Sequence, residues 1–278
     1  MTLDRRSILF SGSLLALGAA LLSRRGRGLV LTRRGTRTAR DFRLAQRALE
    51  AGLSELATLK GRETGRIAIG AMPLSRARLL PNALVSFMKR HPGIDISVIE
   101  GSHLELIEPL RDGDIDLMIG ALREPAPGAD VVQAALFEDH PTIFARKGHP
   151  VLASPMEQAD AARLATYPWI VPEPGIPLHS LWQRIFDDAG VALPPVRVAS
   201  GSVILIRQIL LQTDCLTLLS PDQLAVELEA GWLEAVCRAP AALARKIGTT
   251  VRTGWQPTPA QQDLLDLLRE HACENPNN

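Results

Sequence analysis

Between residues 66 and 122 short apolar runs alternate with amphipathic stretches, and few folds accept that order. "RIAIGA" (66–71), "IDISVIEG" (94–101) and "IDLMIGAL" (115–122) have the length and branched-apolar content of strands. "SRARLLPNALVSFMKRHP" (75–92) has helical spacing, opens at Ser75 and stops before Pro92. "SHLELIEPLRDGD" (102–114) opens at Ser102 with Glu105 at the spacing of a capping box. The order β-α-β-α-β predicts the start of a doubly wound parallel sheet, and the apolar run of the third strand fits a sheet covered on both faces.

"REPAPGAD" (123–130) breaks the pattern and reads as a crossing into a second set. Strands are expected there at 131–137, 142–148, 169–172, 196–200 and 215–220, with helices near 157–165, 178–190, 202–212 and 221–230. "WLEAVC" (232–237) ends the set and "RAPAALAR" (238–245) leads back to a strand at 246–253 and a helix at 258–272. The fold class expected is therefore α/β, two lobes with doubly wound, parallel-rich sheets. Lobe I takes residues 66–122 and 246–278, and lobe II takes 123–245 with the crossings. Two such lobes joined by two crossings make a hinged binding unit, with ligand held at strand ends where helix N-termini point inward.

The segment in front is different. From Thr38 to Leu59, Phe42, Ala45, Leu49, Leu53, Leu56 and Leu59 form one apolar helical stripe, so 38–65 is expected to be a linker helix that pairs with its own copy through Leu49, Leu53 and Leu56. "GLVLT" (28–32) reads as a short strand after a Gly-flanked turn. Residues 1–47 hold 11 Lys/Arg against 2 Asp/Glu, a net of +9, while the remainder holds 20 against 28, a net of −8. A basic arm on an acidic body points to a polyanionic neighbour, nucleic acid first. "DRRSILFSGSLLALGAALL" (4–22) also allows a twin-arginine-like leader, which makes an exported, periplasmic-type solute-binding protein the alternative reading. The arginines that follow, from Arg24 to Arg40, oppose translocation.

Chemistry-bearing motifs are few. Cys215, Cys237 and Cys273 are odd in number and far apart, as buried reduced thiols would be, and the scattered histidines lack metal spacing, so neither metal nor cofactor is expected. G-x-S-x-G and P-loop patterns do not occur, "GRGLVL" lacks the third glycine of a dinucleotide loop, and no catalytic residue is assigned. Trp169, Trp182, Trp232 and Trp255 read as core or interface. Arg207, one turn into its helix, fits either an anion contact or a solvated surface residue.

Several of these segments, in order and spacing, resemble the LysR-type transcriptional regulators. They are the wing "RRGRGLVLTRRG", the linker "ALEAGLSELATLKGRETGRIAIG" (48–70), the effector-domain segments "LLPNALVSFMKRHPGIDISVIEG" (79–101) and "LRDGDIDLMIGAL" (110–122), and "CLTLLSPDQL" (215–224). The resemblance covers about nine-tenths of the chain, from Leu21 to Arg269. It implies a periplasmic-binding-protein-like effector domain that senses a small anionic metabolite. It also implies DNA contact through Arg24, Arg25, Arg27 and Thr32, a homodimer or homotetramer, and a cytoplasmic location without stable membrane association. Ser75, Ser102, Ser200 and Ser202 match or parallel positions at the effector cleft, and Pro174 and Gly175 lie in a rigid loop, "PEPGIP" (172–177), that would line it. Each serine fits a plain helix cap equally well, and the loop fits a plain turn. The departure is at the front, where "MTLDRRSILFSGSLLALGAA" takes the place of the family's recognition helices. Residues 1–37 are thus expected to be a truncated winged helix-turn-helix remnant whose own DNA binding is weak, steeply salt-dependent and non-specific, with promoter recognition left to a full-length form.

Overall fold

The computed structural model describes residues 21–25, 28–59 and 64–273. The leader-like stretch as far as residue 20, and Arg27, lie outside the described residues. Strand β1 (Leu22–Arg25) pairs antiparallel with β2 (Gly28–Leu31), Leu22 opposite Leu31 and Arg25 opposite Gly28. Helix α1 (Arg33–Leu59) follows. It begins earlier than the apolar stripe predicts, because the Thr32 hydroxyl oxygen accepts from Gly35 N at 3.0 Å and caps the first turn.

Lobe I opens with β3 (Gly65–Ala71), α2 (Leu79–Arg90), β4 (Ile94–Glu100), α3 (His103–Asp112), β5 (Leu117–Ala121) and β6 (Val131–Asp139). The predicted capping box is present: Ser102 Oγ accepts from Glu105 N, and Ser102 N donates to Glu105 Oε2 at 2.7 Å. Helix α2 departs from expectation. It starts at Leu79, not Ser75, because residues 73–78 form turns in which Ser75 N and Ala77 N bond back to Met72 and Leu74.

Lobe II comprises β7 (Thr142–Arg146), α4 (Ala161–Leu164), β8 (Trp169–Val171), α5 (Pro177–Asp187), β9 (Val196–Ala199), α6 (Val203–Leu210), β10 (Leu216–Leu219), α7 (Ala225–Glu229) and β11 (Leu233–Arg238). The chain returns through β12 (Arg245–Arg252) and ends its described part in α8 (Pro259–Cys273). The lobe II sheet is ordered β11-β7-β10-β8-β9 and the lobe I sheet β4-β3-β5-β12-β6.

That second order corrects the expected boundary. The sequence pattern puts β6 in lobe II, but the strand pairs antiparallel with β12 from Val131 opposite Arg252 to Asp139 opposite Arg245. Residues 123–130 are therefore a loop within lobe I. The crossings are shorter, at 140–141 and 239–244, and Ala239 N ties them by donating to Pro141 O at 2.9 Å. The partner of β6 is a strand far ahead in sequence, so local pattern could not place it.

Both faces of the lobe I sheet are covered. Phe87, Ile69, Leu117, Leu264 and Leu268 pack on one side, and Leu106, Leu110, Ile115 and Met118 on the other. Lobe II closes around Trp169, Trp182 and Phe186, with Trp169 edge-on to Phe186 at 5.7 Å. Trp232, by contrast, is largely exposed. Cys215 and Cys237 are buried as expected, and burial pushes the Cys237 thiol up to about 11, whereas Cys273 is exposed.

The β6–β12 ladder carries a bulge at Ile247/Gly248, where a Cβ on Gly248 would lie 2.0 Å from Ala134 O. Backbone cannot step aside as a side chain can. Gly248→Ala is expected to destabilise the protein by roughly 1–3 kcal/mol in urea unfolding. Gly52→Ala, where a Cβ meets nothing within 4 Å, should be neutral or slightly stabilising. Equal midpoints for the two variants would contradict this packing.

Candidate functional site

Strands β3, β4 and β5 run parallel, and β12 runs against β5 and β6, so the ends of β3, β4, β5 and β6 and the start of β12 share one sheet edge. The chain leaves that edge for lobe II and returns to it, so it faces lobe II. In lobe II the ends of β8, β9 and β10 and the start of β7 likewise share the edge from which both crossings depart. Residues just past these strand ends are those that a molecule between the lobes would meet.

Ser102 lies there, after β4, with its hydroxyl engaged: Oγ donates to Glu105 Oε2 at 2.8 Å. These bonds to Ser102 hold the Glu105 carboxyl below its ordinary range. Ser200 and Ser202 follow β9. Ser200 Oγ accepts from Ser202 N at 3.1 Å, and Ser202 caps α6 by accepting from Leu205 N at 3.4 Å. Pro174 and Gly175 form an exposed turn after β8, with Ile176 N bonded to Glu173 O. Ser75 is also near the lobe I edge, but its hydroxyl points inward. It is fully buried, donates to Met72 O at 2.8 Å and lies 3.1 Å from Ile119 O. The structure thus gathers five of the six sequence-assigned residues on facing edges and turns the sixth into its own lobe.

Sequence reasoning missed the cations of this edge. Arg78, just before α2, reaches across to lobe II, where Nη2 donates to Glu229 Oε1 at 2.8 Å and Nη1 lies 4.0 Å from Asp222 Oδ1. Arg76 pairs with Glu100 at the end of β4. Arg207 is no free anion contact, since it pairs with the buried Glu227. The repeated arginines of "SRARLLP" are the available signal, and an apolar-periodicity reading passes over them.

The far end of α3 grips the linker helix. Arg40 Nε and Arg43 Nη2 donate to the two oxygens of Asp112 at 2.7 and 2.9 Å, and Arg40 Nη2 donates to Glu108 at 2.9 Å. An aspartate in the last turn of a helix opposes the helix dipole, and the two arginines offset it. Gly113 closes α3 with φ +79, and a Cβ there would meet Leu44 of α1 at 2.8 Å. One helix therefore has its start at the lobe-facing edge and its end on α1.

In α1 the stripe residues Leu49, Leu53 and Leu56 are 70%, 65% and 56% exposed. Arg24 and Arg25 are exposed on β1, as are Arg33, Arg34 and Arg37 in the first turns of α1, while the Thr32 hydroxyl oxygen serves the cap described above. Among the described residues no helix is long and apolar enough to cross a membrane, and no group of three or more His, Cys, Asp or Glu is placed to hold a metal.

Residues 60–273 match the model of the LysR substrate binding domain. The chain belongs to the LysR family of transcriptional regulators. It is 32% identical over 257 residues to the HTH-type transcriptional regulator GalR of Pseudomonas putida, covering 92% of this chain and 64% of that protein. It is 27% identical over 258 residues to the HTH-type transcriptional regulator PcaQ of Agrobacterium fabrum, covering 93% and 82%. Its fold is that of a full-length OxyR variant from Pseudomonas aeruginosa, with a TM-score of 0.70 at 18% identity over 98% of this chain and 85% of that one. The regulatory domain of Synechocystis CcmR in complex with 2-PG matches with a TM-score of 0.64 at 22% identity, over 74% of this LysR-family chain and 97% of that domain.

Proposed function

We propose that this chain senses a small anionic metabolite between its lobes and passes the result to DNA-contacting residues. The observation that carries this reading is the path through α3. Its capped N-terminus stands at the lobe-facing edge, and its C-terminus holds α1 through Asp112, Arg40 and Arg43. A ligand that prefers one lobe angle biases α3, and the grip on α1 carries that bias toward β1 and β2. Ser102, Ser200, Ser202, Pro174 and Gly175 supply contacts, and Ser75 supports the turn before α2 from within. The names of GalR and PcaQ support regulation as the task and speak for a cytoplasmic regulator over an exported receptor or an enzyme.

Arg24, Arg25 and Arg27 provide phosphate contacts, with Thr32 fixing the join to α1. Three exposed arginines at the start of α1 oppose its dipole, an arrangement that a phosphate backbone relieves. Such contacts position a protein on duplex DNA without reading sequence, so binding by them alone is weak, non-specific and steeply salt-dependent. Pairing through α1 gives a homodimer. Further exposed apolar residues, Val85, Met88 and Val98 on lobe I and Val196 and Ile204 on lobe II, offer a second contact that would make a homotetramer.

The metabolite reading is tested by screening carboxylates and phosphorylated metabolites for a saturable rise in melting temperature. A compound that raises it and also changes the scattering radius supports the reading, and a set without any binder contradicts it. The pairing reading is tested by Leu53→Glu, which is expected to shift sedimentation toward smaller species. An unchanged size would mean that α1 does not pair subunits through this stripe.

A further inference from the structure

Among the described residues, Arg123 of lobe I stands without a counterion. It follows β5 at the lobe-facing edge, where Leu122 N donates to Lys246 O at 2.9 Å. Its backbone is fixed from both sides by Gln133, whose Oε1 accepts from Arg123 N and whose Nε2 donates to Arg123 O, each at 2.9 Å. Its half-buried guanidinium has neither a hydrogen bond nor an ion pair among the described residues. Burial and the neighbouring charge of Arg245 lower its pKa. Partial desolvation of an unpaired cation is costly, so the position is pre-organised at the expense of stability.

Two side chains that share its electrostatic surroundings carry orphaned nitrogens. Arg245, the first residue of β12, gives its Nε to the buried Asp139 at 2.7 Å, while its Nη2 is buried with no partner among the described residues. His103, the first residue of α3, is 7% exposed, and its Nε2 is likewise buried and without such a partner. Burial and the charges of Arg123 and Arg111 keep His103 toward its neutral form. Asp139 cancels the charge of Arg245, so the cluster as a whole carries one net positive charge, on Arg123. The positive end of the α3 dipole is already met by the Glu105 carboxylate that caps it, so the free charge is that of Arg123.

Building on the reading of a ligand between the lobes, we propose that Arg123 anchors that ligand by a single carboxylate. One uncompensated charge matches a monocarboxylate better than a phosphate dianion. A guanidinium fork fits the two carboxylate oxygens. The site lies where the chain leaves lobe I after β6 and re-enters it at β12, so occupancy bears directly on the hinge.

The test uses the whole chain with acetate and inorganic phosphate as probes, at constant ionic strength held with sodium chloride. Wild type is expected to show a saturable rise in melting temperature with acetate. In Arg123→Gln the apparent affinity should fall about tenfold or more, as the loss of a charge-assisted pair implies. Arg123→Lys should keep part of the response. Without anion, Arg123→Gln should melt at or above wild type, which a structural arginine would not allow. An acetate response equal in Arg123→Gln and wild type, no saturable response in wild type, or a preference for phosphate over acetate would overturn the assignment. A metabolite from the screen that binds Arg123→Gln as tightly as wild type and still changes the scattering radius would remove the anchor while leaving the ligand reading intact.

Discussion

The architecture depends on one backbone ladder, that of β12 between β5 and β6. It returns the chain from lobe II into the middle of the lobe I sheet, with β5 on one side and β6 on the other. Without it β6 would have no neighbour and lobe I would end at an open edge on β5. Arg252 extends the same constraint by donating to Leu110 O and Ile115 O at 2.7 and 2.8 Å, which ties α3 to β12. The two crossings that result are short and bonded to each other, an arrangement that suits hinge motion of two lobes.

From this follows how the site relates to the linker. The groups at the lobe-facing edge are held by local bonds: the box of Ser102 and Glu105, the caps of Ser200 and Ser202, the clasp of Gln133 on Arg123. They are therefore rigid within each lobe. The contact that crosses between the lobes is Arg78 with Glu229, whereas Arg245 with Asp139 is held within the β6–β12 ladder of lobe I. Partly exposed pairs such as Arg78–Glu229 contribute little to stability, which suits contacts that must exchange. Helix α3, which carries Pro109 in its last turn, then links the edge to α1.

Much of this is legible in the sequence because the deciding signals are local. The strand-helix alternation from residue 66 to 122, the capping box at Ser102 and the stripe of Leu49, Leu53 and Leu56 each rest on neighbours within one or two turns. The misplaced features share the opposite property. Strand β6 belongs to lobe I only because β12, far away in sequence, accepts it. Ser75 reads as a helix cap, yet the carbonyls of Met72 and Ile119 draw its hydroxyl inward, and one of them belongs to another strand. Arg78 is signalled only by the repeated arginines of "SRARLLP", and Arg123 by no local pattern. Their meaning lies in which acids they reach, Glu229 and Asp222 for the first and none among the described residues for the second, and this is decided by packing.

The central claim is that a bound ligand rotates two rigid lobes about the crossings at 140–141 and 239–244. Distance measurements between spin labels test it most directly. Cys273→Ser removes the exposed native thiol, Asn82→Cys and Ala162→Cys place labels on the two lobes, and Asn82→Cys with Glu270→Cys gives a control pair within lobe I, each diluted with unlabelled protein. At saturation with a metabolite that raises the melting temperature, the inter-lobe distance should change to a single new value while the control pair stays fixed. An inter-lobe distance unchanged by the bound ligand, or a control pair that moves as much, would contradict the account.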